Sequence, residues 1–437
     1  MEFLKIDDVD VKGKTLLVRV DINSSIDKET GKFLGCERIE GHAQTVKELA
    51  EKGARVVVLA HQGRAGDYDF TPLKKHARML KRFIGRKVKY VDSITSGYAL
   101  RKIAKMQDGD VIMLENVRYL AEETLEASPE ELGKTIFVKT LSPVADYYVS
   151  DAFSAAHRGQ CSIVGFSEAL PTLAGRVMER EVNSLSKVTE NPEQPCVFLL
   201  GGAKPEDSIG ITECWLAKGI LSKALTSGVL GQLFMLAQGK NLGSKTMAYL
   251  EKKKYTASIP KLKELLQKYP DKIEVPIDVA IPDEVGARQE FSVDAIPADA
   301  DVKDIGTQTA QKYAEILKTA KTTVVNGPAG VYEEKEFGKS TKTLLKAIEE
   351  SGSFSLMGGG HTISALAKFK IDKSKISYIS LAGKAFIAFL SGEEMPGIAA
   401  LEKSARKFKA GEYKPKEAAP PAEPEQPAAP EPAAAPA

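Results

Sequence analysis

Short strand-like apolar runs alternate with longer amphipathic stretches along the first half of the chain. Thr15 to Val20, Arg55 to Ala60, Lys87 to Val91, Asp110 to Leu114 and Asp146 to Val149 read as strands. Between them Gly41 to Lys52, Thr71 to Phe83, Gly97 to Met106 and Pro129 to Leu141 place apolar residues near helical period. Such alternation predicts βαβ units and hence a parallel sheet covered on both faces. The pattern resumes after a helical segment, Gly175 to Val188, whose Val177, Val182 and Leu185 share one side. Strand-like runs then recur at Val197 to Leu200, Lys223 to Thr226, Thr322 to Val325, Phe354 to Met357 and Ile376 to Leu381. The expected fold class is therefore α/β, with two similar-sized, Rossmann-like lobes, each a parallel sheet flanked by helices, joined by a linker helix. Residues 1–172 form the first lobe in this reading, 173–190 the linker, 191–392 the second lobe and 393–410 a C-terminal segment.

In parallel sheets ligands sit beyond the carboxyl ends of the strands, so the loop after each strand carries the chemistry. In the first lobe these loops bring Asp21, Asn23 and Arg38, then His61 and Arg64, then Arg118, and finally His157 and Arg158. Guanidinium groups grip phosphate and carboxylate in forked geometry, so arginines from separate loops predict a pocket for a small, highly anionic molecule. In the second lobe the strand ends are glycine-rich instead: Gly201-Gly202-Ala203-Lys204, Asn326-Gly327-Pro328-Ala329-Gly330 and Gly358-Gly359-Gly360. Bare backbone N–H groups and helix starts suit a phosphate-bearing ligand such as a nucleotide. The spacing fits neither the P-loop nor the dinucleotide fingerprint.

A length of 437 residues favours two domains. The net charge of +2 supplies no global field for nucleic acid, so any anion site must be local. Four cysteines without metal-ligand spacing read as reduced thiols, and the start of the chain lacks a signal-peptide core. A cytoplasmic protein is expected, acting as a monomer without nucleic-acid or membrane partners. Residues 411–437, rich in Pro, Ala and Glu, are expected to form a disordered tail.

In this order the loops resemble those of the phosphoglycerate kinase family, over about residues 3 to 408. The segments that carry the resemblance are Arg19-Val20-Asp21-Ile22-Asn23, Arg38, His61-Gln62-Gly63-Arg64, Glu115-Asn116-Val117-Arg118, Asp151-Ala152-Phe153 with Ala156-His157-Arg158, Gly201-Gly202-Ala203-Lys204, Asn326-Gly327-Pro328-Ala329-Gly330-Val331-Tyr332-Glu333, and Gly358-Gly359-Gly360. His61-Gln62-Gly63, Gln160, Glu206-Asp207-Ser208 and His361 are similar to its archaeal branch.

The resemblance implies reversible phosphoryl transfer between 1,3-bisphosphoglycerate and ADP, with Mg2+ carried on the nucleotide. It implies that Asp21, Asn23, Arg38, His61, Arg64, Arg118 and Arg158 hold 3-phosphoglycerate. Glu333 would bond the ribose, and Gly201, Gly202, Asn326, Gly358, Gly359, Gly360, His361 and Thr362 would line the nucleotide. Lys204 and Arg38 would flank the transferred group, and the C-terminal segment would pack on the first lobe. Other readings left open are a family member that binds triose phosphates without turnover and a kinase for another small carboxylic acid. Two loops depart from the family pattern: Thr226-Ser227-Gly228 replaces a glycine triplet, and Leu381-Ala382-Gly383-Lys384 carries a lysine where glycine is usual.

Overall fold

The structure is a computed structural model that describes residues 1–413. The expected tail lies outside them from residue 414 on, but its first residues are ordered. The Tyr413 hydroxyl donates to the Ser167 carbonyl at 2.9 Å and lies 2.6 Å from Ser404 Oγ. By contact, Met1–Ser150, Gly159–Gly175 and the described residues from Ala400 form one unit, while Asp151–Arg158 and Arg176–Ala399 form the other.

In the first unit seven strands make one parallel sheet: β1 (Leu4–Lys5), β2 (Thr15–Arg19), β3 (Arg55–Leu59), β4 (Val88–Tyr90), β5 (Val111–Met113), β6 (Tyr147–Ser150) and β7 (Thr172–Ala174), in the spatial order β1-β7-β6-β2-β3-β5-β4. Strand β2 is central and wholly buried, as a strand covered on both faces should be. Its Leu16 and Val18 share a core with Val56 and Val58 of β3 and with Val46, Leu49, Leu80 and Ile84 from the helices Glu37–Glu51 and Lys74–Ile84. The short β1 and β7 escape a periodicity reading because two or three residues carry no period. The single helix expected over Pro129 to Leu141 is two, Pro129–Leu132 and Ile136–Leu141. A turn at Gly133 intervenes, and the Thr135 hydroxyl caps the second helix by accepting from Val138 N. Within this unit the helix that ends at Lys409 is tied by Ser404 Oγ, which accepts from Thr172 N at 2.8 Å, and by Lys403 and Lys407 on Glu168.

The second unit has a six-stranded parallel sheet and a smaller sheet. Its strands are β8 (Cys196–Leu200), β9 (Lys223–Thr226), β10 (Ile273–Glu274), β11 (Asp278–Pro282), β12 (Arg288–Ser292), β13 (Asp304–Ile305), β14 (Thr322–Asn326), β15 (Phe354–Gly358) and β16 (Tyr378–Ile379). The large sheet runs β10-β9-β8-β14-β15-β16, the 3-2-1-4-5-6 order of dinucleotide-binding folds when counted within the sheet. Its switch point falls between β8 and β14, where Leu200 pairs with Asn326. The antiparallel sheet β12-β11-β13 departs from the all-parallel expectation. Arg288-Gln289-Glu290-Phe291-Ser292 is too polar to read as a strand, yet tertiary contacts hold it. The Arg288 side chain is only 4% exposed and bonds Asp304 at 2.8 Å and Glu290 at 2.7 Å. The helix Arg176–Glu190 turns inward Met178, Val182, Leu185 and Val188, so Met178 rather than Val177 begins its buried stripe. Glu181 is buried with them.

Candidate active site

In the first unit the loops after β2 and β3 meet. Asp21 Oδ2 accepts from Arg38 Nη1 at 2.6 Å, and Asp21 Oδ1 accepts from the Asn23 backbone at 3.1 Å and lies 4.0 Å from His61 Nδ1. Asn23 Oδ1 in turn accepts from Gly63 N at 3.0 Å, so the β3 loop is fastened to the β2 loop. Arg118 reaches the same turn and donates to the Gly63 carbonyl. Arg64 comes next in the chain and is exposed. Asp21, Asn23, His61, Arg64 and Arg118 are thus gathered on neighbouring loops of one sheet edge, and Arg38, expected in a loop, stands in the first turn of the helix Glu37–Glu51. A cavity of about 320 Å³ opens beside Asn23, Ser24 and Arg38. Arg158 belongs by contact to the other unit, where its Nε donates to His157 Nε2 at 3.2 Å. Burial, followed by Arg158 and Lys384, pushes His157 down to about 4, so it is the neutral acceptor in that bond.

Beneath these residues lies a frame that the loop motifs alone do not reveal. Arg19, the last residue of β2, is fully buried. It donates to Ser162 Oγ at 2.8 Å, to the Val20 carbonyl at 2.5 Å and to His61 Nδ1 at 3.0 Å, with Glu123 3.9 Å away. A guanidinium can only donate, so Nδ1 accepts and the imidazole proton belongs on Nε2. Glu123, also buried, accepts from Ser162 N at 2.8 Å and from its hydroxyl at 2.6 Å, so the charges are enclosed and bonded. Asn116 Oδ1 takes the backbone N–H groups of Gln62 and Arg118, both at 3.2 Å, which joins the β3 and β5 loops. The signal in the sequence was a charge at the end of an otherwise apolar strand.

In the second unit the carboxyl ends of β8 and β14 pack backbone against backbone. Gly201 N donates to the Asn326 carbonyl at 2.9 Å and Gly202 N to the Pro328 carbonyl at 2.8 Å. Gly327 lies at φ +90°, where a Cβ would stand 2.5 Å from the Gly201 carbonyl oxygen. Only glycine permits both that torsion and that approach. The turn delivers Lys204 to the N-cap of the helix Pro205–Ala217, exposed and without a side-chain bond to any described residue. Beside it opens a cavity of about 380 Å³ whose lining includes Gly202, Gly228, Val302, Val331, Glu333 and His361. Glu333 and His361 face each other across 3.3 Å, both exposed. Asn326 Nδ2 lies 3.5 Å from Ser208 Oγ.

The remaining glycine-loop residues divide. Gly359 and Gly360 open the helix Gly360–Lys368 and are at least partly exposed, but Gly358 is buried beneath the Phe386 ring. Thr362 is buried too, and its hydroxyl accepts from Gly327 N at 2.9 Å, so it shapes the turn. Lys384 is exposed at the first position of the helix Lys384–Leu390. Among the described residues no group of three or more His, Cys, Asp or Glu could hold a metal ion.

Comparison with known proteins bears on this geometry. The family model described as phosphoglycerate kinase matches residues 6–393. The phosphoglycerate kinase of Methanococcus maripaludis is 46% identical over 415 residues, covering 93% of this chain and 100% of that protein. That of Methanothermus fervidus is 45% identical, covering 93% and 98%. The crystal structure of the Pyrococcus horikoshii enzyme superposes with a TM-score of 0.85 at 37% identity, covering 93% of this chain and 100% of that one.

Proposed function

The chain belongs to the phosphoglycerate kinase family and moves a phosphoryl group reversibly between 1,3-bisphosphoglycerate and ADP, giving 3-phosphoglycerate and ATP; from that premise we propose how its residues divide the work. The first unit holds 3-phosphoglycerate through Arg38, Arg64 and Arg118, with Asp21, Asn23 and His61 on its hydroxyl and carboxyl ends. The second unit holds the nucleotide. Glu333 bonds the ribose, the bare backbone of Gly201, Gly202 and Gly359 lets the phosphates approach closely, and Lys204 meets the group in transit.

The acceptor is a carboxylate, ionised at neutral pH with an ordinary pKa of about 4, so no general base is required. What the protein must do is set two anions in line and neutralise the charge that spreads over the equatorial oxygens. Lys204, free of any described partner, can supply a charge from the nucleotide side, and Arg38, braced by Asp21, another from the acceptor side. Mg2+ fits as a passenger on the nucleotide: it is held well by phosphate oxygens and water, and the described residues offer no cage of their own. When bound it neutralises phosphate charge. Because the substrates are held by different units, in-line transfer calls for hinge bending that brings them together and excludes water.

A single observation carries the nucleotide half of this reading: the glycine-lined switch point between β8 and β14 adjoins a cavity of about 380 Å³ and leads directly into Lys204. A coupled assay with purified protein, MgATP and 3-phosphoglycerate tests the whole, and folded protein with no turnover above a blank would refute it. The balanced charge of +2 supplies no global field for nucleic acid. No helix among the described residues is long and apolar enough to cross a membrane, in keeping with a cytoplasmic location.

A further inference from the structure

Gln232 sits on the helix Gly228–Ala237, only 8% exposed, and lines the 380 Å³ cavity of the second unit. Its Nε2 donates to the Val302 carbonyl at 2.8 Å, whereas its Oε1 has no hydrogen-bond partner among the described residues. A carbonyl can only accept, so Val302 fixes the orientation of the amide. Thr246, in the same wall, is already engaged: its hydroxyl donates to the Ala300 carbonyl at 3.2 Å and accepts from Val302 N at 2.9 Å. A buried acceptor without a donor is unfavourable, and an apolar pocket that holds one is shaped for a flat ligand with a donor at its edge.

We propose that Gln232 reads the base of the nucleotide, its Oε1 accepting a hydrogen bond from an exocyclic amino group and so selecting a 6-aminopurine over a 6-oxopurine. This rests on the reading of the cavity as the nucleotide site, with Glu333 at the ribose. A 6-oxo group would set acceptor against acceptor. Turning the amide over to meet it would press Oε1 onto the Val302 carbonyl, so neither orientation accommodates the oxopurine. Purine without a 6-substituent leaves Oε1 as unpaired as in the free protein.

The test compares ADP, IDP and purine riboside 5′-diphosphate as phosphoryl acceptors for wild type, Gln232→Met and Val331→Trp, with the KM for 1,3-bisphosphoglycerate as the internal reference. Wild type should favour ADP by roughly tenfold in kcat/KM over either analogue, as loss of one buried hydrogen bond implies. Gln232→Met, of similar volume but without the acceptor, should bring the three nucleotides to within about twofold while the reference KM stays put. Val331 is exposed in the cavity wall, so the tryptophan should raise the KM of all three nucleotides together. If wild type scarcely distinguishes the three, or the methionine variant keeps the full preference for ADP, the role of Gln232 is overturned while the site stands. If Val331→Trp leaves every nucleotide KM unchanged, the cavity does not hold the base and both readings fall. The wild-type comparison needs no variant to fold.

Discussion

Gly327→Ala is the sharpest probe of the idea that the nucleotide turn is built by backbone packing on backbone. At φ +90° the new Cβ would stand 2.5 Å from Gly201 O, 2.6 Å from Gly201 C and 2.7 Å from Gly202 N. None of these atoms belongs to a side chain that could swing aside. Holding a non-glycine residue at such a torsion costs about 1–3 kcal/mol, and overpacking against fixed atoms about 1–3 kcal/mol more. If the turn stays closed, stability falls by at least ~2 kcal/mol, or roughly 4–8 °C in Tm for a unit of this size. Should the turn open instead, the glycine backbone at Gly201 and Gly202 shifts and its bonds to the Asn326 and Pro328 carbonyls are lost, and ~2 kcal/mol corresponds to about thirtyfold in nucleotide affinity. Gly360→Ala is the matched control: it has no positive φ and nothing within 4 Å of the added Cβ, so it should stay within about 0.5 kcal/mol of wild type. Calorimetric melting and ADP titration read both variants. Wild-type Tm and ADP affinity in Gly327→Ala, or equal damage in the two, would show that the close approach is not what demands glycine.

Lys204→Ala should lower kcat by about 10²–10³ with little change in either KM, since its charge matters most as the phosphoryl group detaches. Arg118→Ala should instead raise the KM for 3-phosphoglycerate, and similar steady-state profiles for the two would undo the assigned roles. Burial lifts the Glu181 carboxyl from 4.5 to about 8, against a bond from Ser380 Oγ at 3.0 Å. The native state therefore binds a proton that the unfolded state releases between about pH 4.5 and pH 8, and stability falls as pH rises through that window. Glu181→Gln removes the dependence, so its Tm should gain on wild type steadily from pH 5 to pH 8; a gap constant with pH would count against the buried acid. Solution scattering should give a smaller radius of gyration with both substrates bound than with either alone, and equal radii would argue against hinge bending.

The alternation of short apolar runs and amphipathic stretches was enough to read two parallel-sheet units, because each covered strand must be apolar throughout and each helix on one face. His61, Arg118, Gly201 and Lys204 were legible as candidates for a related reason: they follow strands at the carboxyl edge of a parallel sheet, where ligands bind; Arg38 was expected in a loop but stands in the first turn of the helix Glu37–Glu51. Strand order was not legible, since the hydrophobic pattern is the same for every permutation of β8, β14 and β15. Only pairing decided that β8 and β14 are neighbours and that Gly201 meets Gly327. The sheet β12-β11-β13 was invisible because its outer strands are tied by an ion pair, Arg288 of β12 with Asp304 of β13, rather than by apolar period. Arg19 and Gln232 belong to the same class. Each looks like an ordinary polar residue in sequence, and its meaning, a proton fixed on His61 or an acceptor left over in the cavity of the second unit, exists only once distant segments close around it and take away the water.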